Sequence, residues 1–178
     1  MLVLVVGPSG AGKDTLLGAA KAALAGDPRF RFVRRAITRS ADTGGEDHEA
    51  LSEADFMGRD FALKWQAHGL WYGIPAGIAG DLSEGRTVVA NVSRGVIAEA
   101  AARFPVRVIE VTAPPDMLAA RLVQRGREDE ADIAKRLARA VEVPAGTELW
   151  RVVNDGTPEE GIRRFLVALD RGSEAKRD

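Results

Sequence analysis

The chain begins MLVLVVGPSGAGKDTLLGAAKAAL, residues 1–24, and this stretch decides the fold. Residues 2–6 form an unbroken apolar, largely β-branched run, as a parallel strand buried on both faces requires. Residues 13–24 are rich in alanine and leucine, with apolar positions at helical spacing. Between them Gly7, Gly12 and Lys13 satisfy Gly-x4-Gly-Lys, a pattern that carries meaning because a strand precedes it and a helix follows. The glycines let the backbone curl so that successive N–H groups point inward at phosphate oxygens. The first turn of the helix adds its unpaired donors and the positive end of its dipole. Gly7, Pro8, Ser9, Gly10, Ala11, Gly12, Lys13, Asp14 and Thr15 are therefore the predicted cradle for the phosphates of ATP. Lys13 is the predicted catalytic cation, reaching the β- and γ-phosphates as the γ-group transfers.

Position 14 departs from the usual motif. A serine or threonine normally follows the lysine and gives its hydroxyl to Mg2+, whereas here Asp14 follows and Thr15 comes next. A carboxylate beside a triphosphate is repelled unless a cation lies between them. Asp14 is thus a candidate Mg2+ ligand, direct or through water. The alternative is that it stabilises the helix N-terminus.

Strands and helices alternate along the remainder. Residues 30–37, 87–92, 106–111 and 149–153 read as strands, and 75–84, 114–125, 133–141 and 158–169 as helices. Residues 42–47 read as a turn and 63–72 as a hairpin around Gly69. Ser52 reads as an N-cap, with Asp55 three positions beyond it. The expected class is α/β: a P-loop, three-layer α/β/α fold on a doubly wound parallel sheet.

Composition narrows the function further. A chain of 178 residues fits one domain with a real core. Its net charge of -1 gives no overall attraction to nucleic acid or to an anionic membrane, so phosphate must be met by local arginines. The absence of cysteine excludes disulfides and Cys-based metal or redox chemistry. With only His48 and His68, a histidine-rich metal site is not expected. The opening apolar run is too short for a signal peptide and lacks a basic flank. No apolar run nears the roughly 20 residues that span a bilayer, so the cytoplasm is the expected location.

A second cluster follows the loop: Thr38-Arg39, Gly45-Glu46-x-His48 and Trp71-Tyr72-Gly73. Together with GPSGAGKDTL, AITR, KWQAHGLWYG and RLVQRGRED, in that order, these make the chain resemble the guanylate kinase superfamily along nearly its full length. The resemblance implies a parallel-sheet core, a small acceptor-binding insertion at about residues 36–79 and an arginine-bearing lid at about 125–132. Departures from true guanylate kinases are specific. Asp42 stands where they carry a second arginine, His48 where they carry a tyrosine, and Lys64 where a glutamate reads the guanine edge. Ile74 replaces a serine, and Ser93 replaces a base-reading aspartate. A lysine cannot accept hydrogen bonds from guanine N1–H and N2–H. The purine-reading apparatus is absent.

The Gly-Lys-Asp ending of the loop, ITR, His48, HGLWYG, NVSRG and NDG resemble a narrower group, the ribose 1,5-bisphosphate phosphokinases of bacterial phosphonate degradation. That resemblance implies transfer of the ATP γ-phosphoryl to the 1-phosphate of ribose 1,5-bisphosphate. Arg39, Lys64 and Arg94 are candidates for holding the two acceptor phosphates, and Tyr72 belongs to the same acceptor side. His48 either bonds the acceptor or is structural. Arg121 and Arg125 share a helix face, where like charges repel unless an anion sits between them. The resemblance implies that such arginines close over the triphosphate, with Arg125 and Arg136 catalytic; Arg127 and Arg139 lie nearby. The alternative is a solvated face paired with Glu128, Asp129 and Glu130. Two further readings stay open: a nucleoside monophosphate kinase with an altered base pocket, and a non-catalytic guanylate-kinase-like module that binds a protein. The expected partner is a small phosphosugar, with neither nucleic acid nor membrane, and the chain could be a monomer or a homodimer.

Overall fold

A computed structural model of the chain describes residues 1–40, 47–124 and 142–174. Strand β1 (Leu2–Val6) is buried at every position and lies at the centre of a five-stranded sheet. Only a strand covered on both faces can bury five consecutive apolar side chains. The other members are β2 (Phe30–Phe32), β7 (Thr87–Asn91), β8 (Val106–Thr112) and β9 (Glu148–Val153), in the spatial order β2-β7-β1-β8-β9, all parallel. Alternate side chains of these strands feed two cores. Leu2, Leu4, Val88, Ala90 and Val108 face one way, toward the helices at Ile78–Ser83 (α3) and Ile97–Arg103 (α4). Val3, Val5, Val89, Ile109 and Val111 face the other, toward Lys13–Ala23 (α1), Pro115–Gln124 (α5) and Pro158–Glu174 (α6). The three-layer α/β/α architecture is the one the sequence pattern predicts. Among the described residues no helix is long and apolar enough to cross a membrane.

The run at 30–37, expected as one strand, is divided between two sheets. Phe30–Phe32 pairs with β7, and Val33 N–H donates to the Val89 carbonyl at 2.9 Å. The chain then leaves the central sheet, and Arg35–Ile37 (β3) starts a second one. Both halves are compatible with strand, so periodicity cannot show where the partners change. The second sheet adds β4 (His48–Ala50), β5 (Phe61–Ala67) and β6 (Leu70–Pro75), ordered β4-β3-β6-β5. Strand β4 has no strand signature of its own; it exists because β3 offers it a parallel edge.

Strands β5 and β6 are a hairpin turning at His68 and Gly69, both with positive φ (52° and 73°), the conformation that matches the twist of the flanking strands. The short helix α2 (Glu53–Met57) starts at Ser52, whose Oγ accepts from Asp55 N–H at 3.1 Å, so the sequence-based cap is found in place. On the outer face of the second sheet Phe56 stacks on Phe61 at 4.4 Å between ring centroids, with Trp71 6.0 Å from Phe56. The Phe61 ring lies where a Cβ at Gly73 would stand, so Gly73 must lack one. On the inner face Leu63 and Ile74 enter the same core as Val92, Val96 and Ile97, fixing the second sheet beside the end of β7. Gly73→Ala is expected to displace the Phe61 ring and destabilise the fold by about 1–3 kcal/mol, measured by denaturant unfolding.

Candidate active site

The phosphate loop is shaped by glycines with specific neighbours. Gly7 has φ 145°, and a Cβ there would overlap the carbonyl oxygen of Val111 on the adjacent strand. Gly10 (82°) and Gly12 (89°) also take positive φ, and Gly12 caps α1 without any side-chain bond. A helix start without a side-chain cap keeps its first amide donors available to an anion. Lys13 Nζ folds back over the loop, donating to the carbonyls of Gly7 (2.8 Å) and Pro8 (2.9 Å). Ser9, Asp14 and Thr15 are exposed on the loop's rim.

Asp14 Oδ1 accepts a hydrogen bond from Asn91 Nδ2 at 3.1 Å. Asn91 ends β7 next to Val5 and is nearly buried, so the amide aims the carboxylate across the mouth of the loop. A hard carboxylate oxygen beside a phosphate cradle is the donor chemistry Mg2+ takes. Among the described residues at the loop, Asp14 and Thr15 carry oxygen donors of the kind that would suit that ion.

Asn154, which follows β9, braces the loop from behind. Its Nδ2 donates to the Ala11 carbonyl at 2.9 Å and its N–H to the Thr112 carbonyl at 2.7 Å. The amide fits only because Gly12 lies on one side and Gly161 of α6 on the other; a Cβ at either position would overlap it. Arg121 donates to the carbonyls of Gly10 (3.4 Å) and Asn154 (3.2 Å), tying α5 to the same point. Arg164 donates to the Val153 carbonyl and to Asp155, each at 2.6 Å, and its guanidinium holds the Asp155 carboxyl below the usual carboxylate range. Thr157 and Glu160 form a reciprocal capping box that starts α6 just beyond. The sequence reading used NDG only as a mark of resemblance and gave Asn154 no role. The only local signal was a polar residue at the end of a strand with Gly161 following in the next helix.

Four strands of the second sheet place one side chain each in a row on its inner face: His48, Arg35, Tyr72 and Trp65. Arg35 and His48 are register partners on β3 and β4. The Arg35 guanidinium lies 5.2 Å from the Tyr72 ring centroid and 5.9 Å from that of Trp65. The two rings are themselves stacked at 5.5 Å with planes 8° apart. Arg39 reaches back to the buried His48: its Nη2 lies 3.4 Å from Nδ1, and His48 Nε2 lies 3.2 Å from the Arg39 carbonyl oxygen. A guanidinium can only donate and a carbonyl can only accept, so this pair fits the tautomer with its proton on Nε2. Arg39 Nε is buried and finds no hydrogen-bond partner among the described residues.

The structure sets Arg39 against His48 and places Tyr72 on the same face of the sheet as His48, but not Lys64. Lys64 is the register partner of Gly73, on the strand position between Leu63 and Trp65, and it stands exposed on the outer face. Side chains alternate along a strand, so one residue's offset changes the face. Leu63 and Trp65 are the neighbours of Lys64 that point inward. Arg94 lies on the loop after β7, where its Nη2 is 3.7 Å from Glu110 Oε1, while Arg151 bonds the other oxygen of that carboxylate at 2.9 Å. Ser93 caps the single 3-10 turn that carries Arg94. Arg125, Arg127, Arg136 and Arg139, with Asp42, Gly45, Glu46 and the expected lid at 125–132, lie outside the described residues.

A complete phosphate loop at the carboxyl ends of a parallel sheet, faced by a small second sheet, defines a P-loop kinase of guanylate kinase-like fold. A guanylate kinase structure from Anaplasma phagocytophilum superposes with a TM-score of 0.68 at 18% identity, covering 99% of this chain and 87% of that one. A sugar kinase structure from Janibacter follows at a TM-score of 0.56 and 16% identity, covering 95% of this chain and 94% of that one. No protein-family model matches the sequence. Whole-chain relatives are nearer: the ribose 1,5-bisphosphate phosphokinase PhnN of Acidiphilium cryptum is 55% identical over 94% of this chain and 91% of its own. The PhnN protein of Agrobacterium fabrum is 44% identical over 97% of both chains. A bifunctional ribose 1,5-bisphosphokinase-thymidine phosphorylase of Cupriavidus pinatubonensis is 48% identical over 97% of this chain but only 29% of its own length. The chain belongs to the PhnN family of ribose 1,5-bisphosphate phosphokinases.

The brace makes a prediction of its own. Asn154→Ala leaves the Ala11 carbonyl unpaired and is expected to cost about 1–3 kcal/mol and weaken Mg-ATP binding. Asn154→Asp sets a carboxylate against that carbonyl and should be worse on both counts, measured by thermal unfolding and calorimetry.

Proposed function

We propose that the chain transfers the γ-phosphoryl group of ATP to the 1-phosphate of ribose 1,5-bisphosphate, giving 5-phosphoribosyl 1-diphosphate and ADP. The observation that carries this reading is the inner face of the second sheet. Its strands present Arg35, His48, Tyr72, Trp65 and apolar side chains, with Arg39 just beyond β3. None of these described side chains supplies a carboxylate, the acceptor that can take guanine N1–H and N2–H together. A face built of cations and rings suits a phosphorylated sugar.

In this reading the bond from the γ-phosphorus to the β,γ-bridging oxygen breaks as one forms to an oxygen of the 1-phosphate. That oxygen is already anionic, so no strong general base is required. The loop amides and Lys13 hold the triphosphate, and Lys13 leaves the Gly7 and Pro8 carbonyls to do so. Arg39, steadied by His48, holds the acceptor phosphate in line, an arrangement that lowers the barrier by positioning two mutually repelling anions. Mg2+ would be held by Asp14, with Thr15 beside it, and when bound it screens charge between the β- and γ-phosphates. Arg125 and Arg136 complete the proposed catalytic set.

Two measurements test this. Turnover with ribose 1,5-bisphosphate should exceed turnover with GMP, dGMP, AMP or UMP by at least about 100-fold in kcat/KM, a factor within reach when a substrate's polar groups find no partner. Efficient GMP phosphorylation would show the choice of acceptor to be wrong. Asp14→Ser should raise the Mg2+ concentration needed for half-maximal rate, and Asn91→Leu should do so by about 10–100-fold through the lost orienting bond. An unchanged Mg2+ dependence in Asp14→Ser refutes the ligand role.

A further inference from the structure

An acceptor with a phosphate at each end needs two anion sites, and the reading above fills only one of them with Arg39. Lys64 stands on the outer face beside Gly73, and Arg94 is held near the buried Glu110. Besides the Arg39–His48 pair, the inner face carries a second guanidinium, Arg35 on β3, a residue to which the sequence reading assigned no role.

Resting on the proposed activity, we infer that Arg35 binds the acceptor's second phosphate, the one that does not react, and so sets the enzyme's preference for a bisphosphorylated sugar. Three features carry this. Arg35 lies on the same face as His48, its register partner on β4, and His48 in turn contacts Arg39, so both arginines belong to one end of this face. Its guanidinium rests on the stacked pair Tyr72 and Trp65, at 5.2 and 5.9 Å from their centroids. Stacking engages the flat face of a guanidinium and leaves recognition to its in-plane N–H edge, which matches a phosphate with two parallel bonds. The rings also restrict the side chain before the ligand arrives, which reduces the ordering cost of binding. Half-burial on this face further strengthens attraction between cation and phosphate. A lysine on the same strand position would stack less well and offer only a point charge.

The test uses ribose 5-phosphate, which carries the non-reacting phosphate alone, and ribose 1-phosphate, which carries the reacting one alone. Calorimetry should detect ribose 5-phosphate binding to the wild-type chain. Arg35→Met, which keeps an apolar stem on the rings, should weaken that binding at least about 30-fold. Arg39→Met should change it by less than about 3-fold, and Arg35→Lys should recover part of the loss. In turnover, Arg35→Met should raise KM for ribose 1,5-bisphosphate while leaving kcat/KM for ribose 1-phosphate and the Kd for Mg-ATP near wild type. Absent binding of ribose 5-phosphate to the wild type, or equal binding to Arg35→Met, overturns the assignment. So does an equal loss of both acceptors, which marks a merely structural arginine. Failure of the wild type to turn over ribose 1,5-bisphosphate, with the 5-phosphate binding pattern intact, rejects the proposed reaction and leaves the anion site standing.

Discussion

The hydrogen bond from Asn154 to the Ala11 carbonyl is the constraint on which the phosphate loop depends. A loop of glycines has many conformations and pays entropy to adopt one. Here the cost is met by a buried side-chain amide delivered from the last strand, nearly the whole chain away in sequence. The amide demands glycine at positions 12 and 161, and Arg121 and Arg164 fix the backbone on either side of it. The nucleotide site therefore exists only when β9, α5 and α6 have docked. Catalytic geometry and completion of the fold are one event.

The second sheet solves a different problem. Its outer face is sealed by Phe56, Phe61 and Trp71, while its inner face divides along its length. Leu63 and Ile74 go into the core beside β7, and Arg35, Tyr72, Trp65 and His48 form a polar platform. Strand alternation separates the inner face from the outer one. The same alternation turns Lys64 outward, so a charge that looked well placed in the sequence sits on the wrong side of the sheet.

Features with a local cause were legible in the sequence. The run at Leu2–Val6, the Gly-x4-Gly-Lys loop and the helix after it appear where periodicity and glycine chemistry put them, as does the Ser52 cap. Features decided by distant partners were not. Strand β4 and the division of residues 30–37 depend on which edge is free in the folded chain, and nothing in three-residue segments reports that. The candidate site shows the same boundary. Arg39, His48 and Tyr72 are candidates that motif order alone proposes, whereas Arg35 becomes a candidate only through the register of β3 against β6 and the ring positions. Asn154 enters the sequence reading only through NDG as a mark of resemblance, because its bond to Ala11 spans nearly the whole chain.

Lys13 brings a last consequence. Its ammonium ties the loop together by bonding the Gly7 and Pro8 carbonyls. In the proposed reaction this cation exchanges partners, from backbone carbonyls of the loop to the triphosphate. Two carbonyls lose a donor at the moment the phosphates gain one, so the heat released is smaller than a count of new contacts suggests. A substitution that removes the ammonium takes away an internal staple of the resting loop together with a charge from the reaction. The lysine proposed to carry the chemistry is also part of the loop's own scaffold.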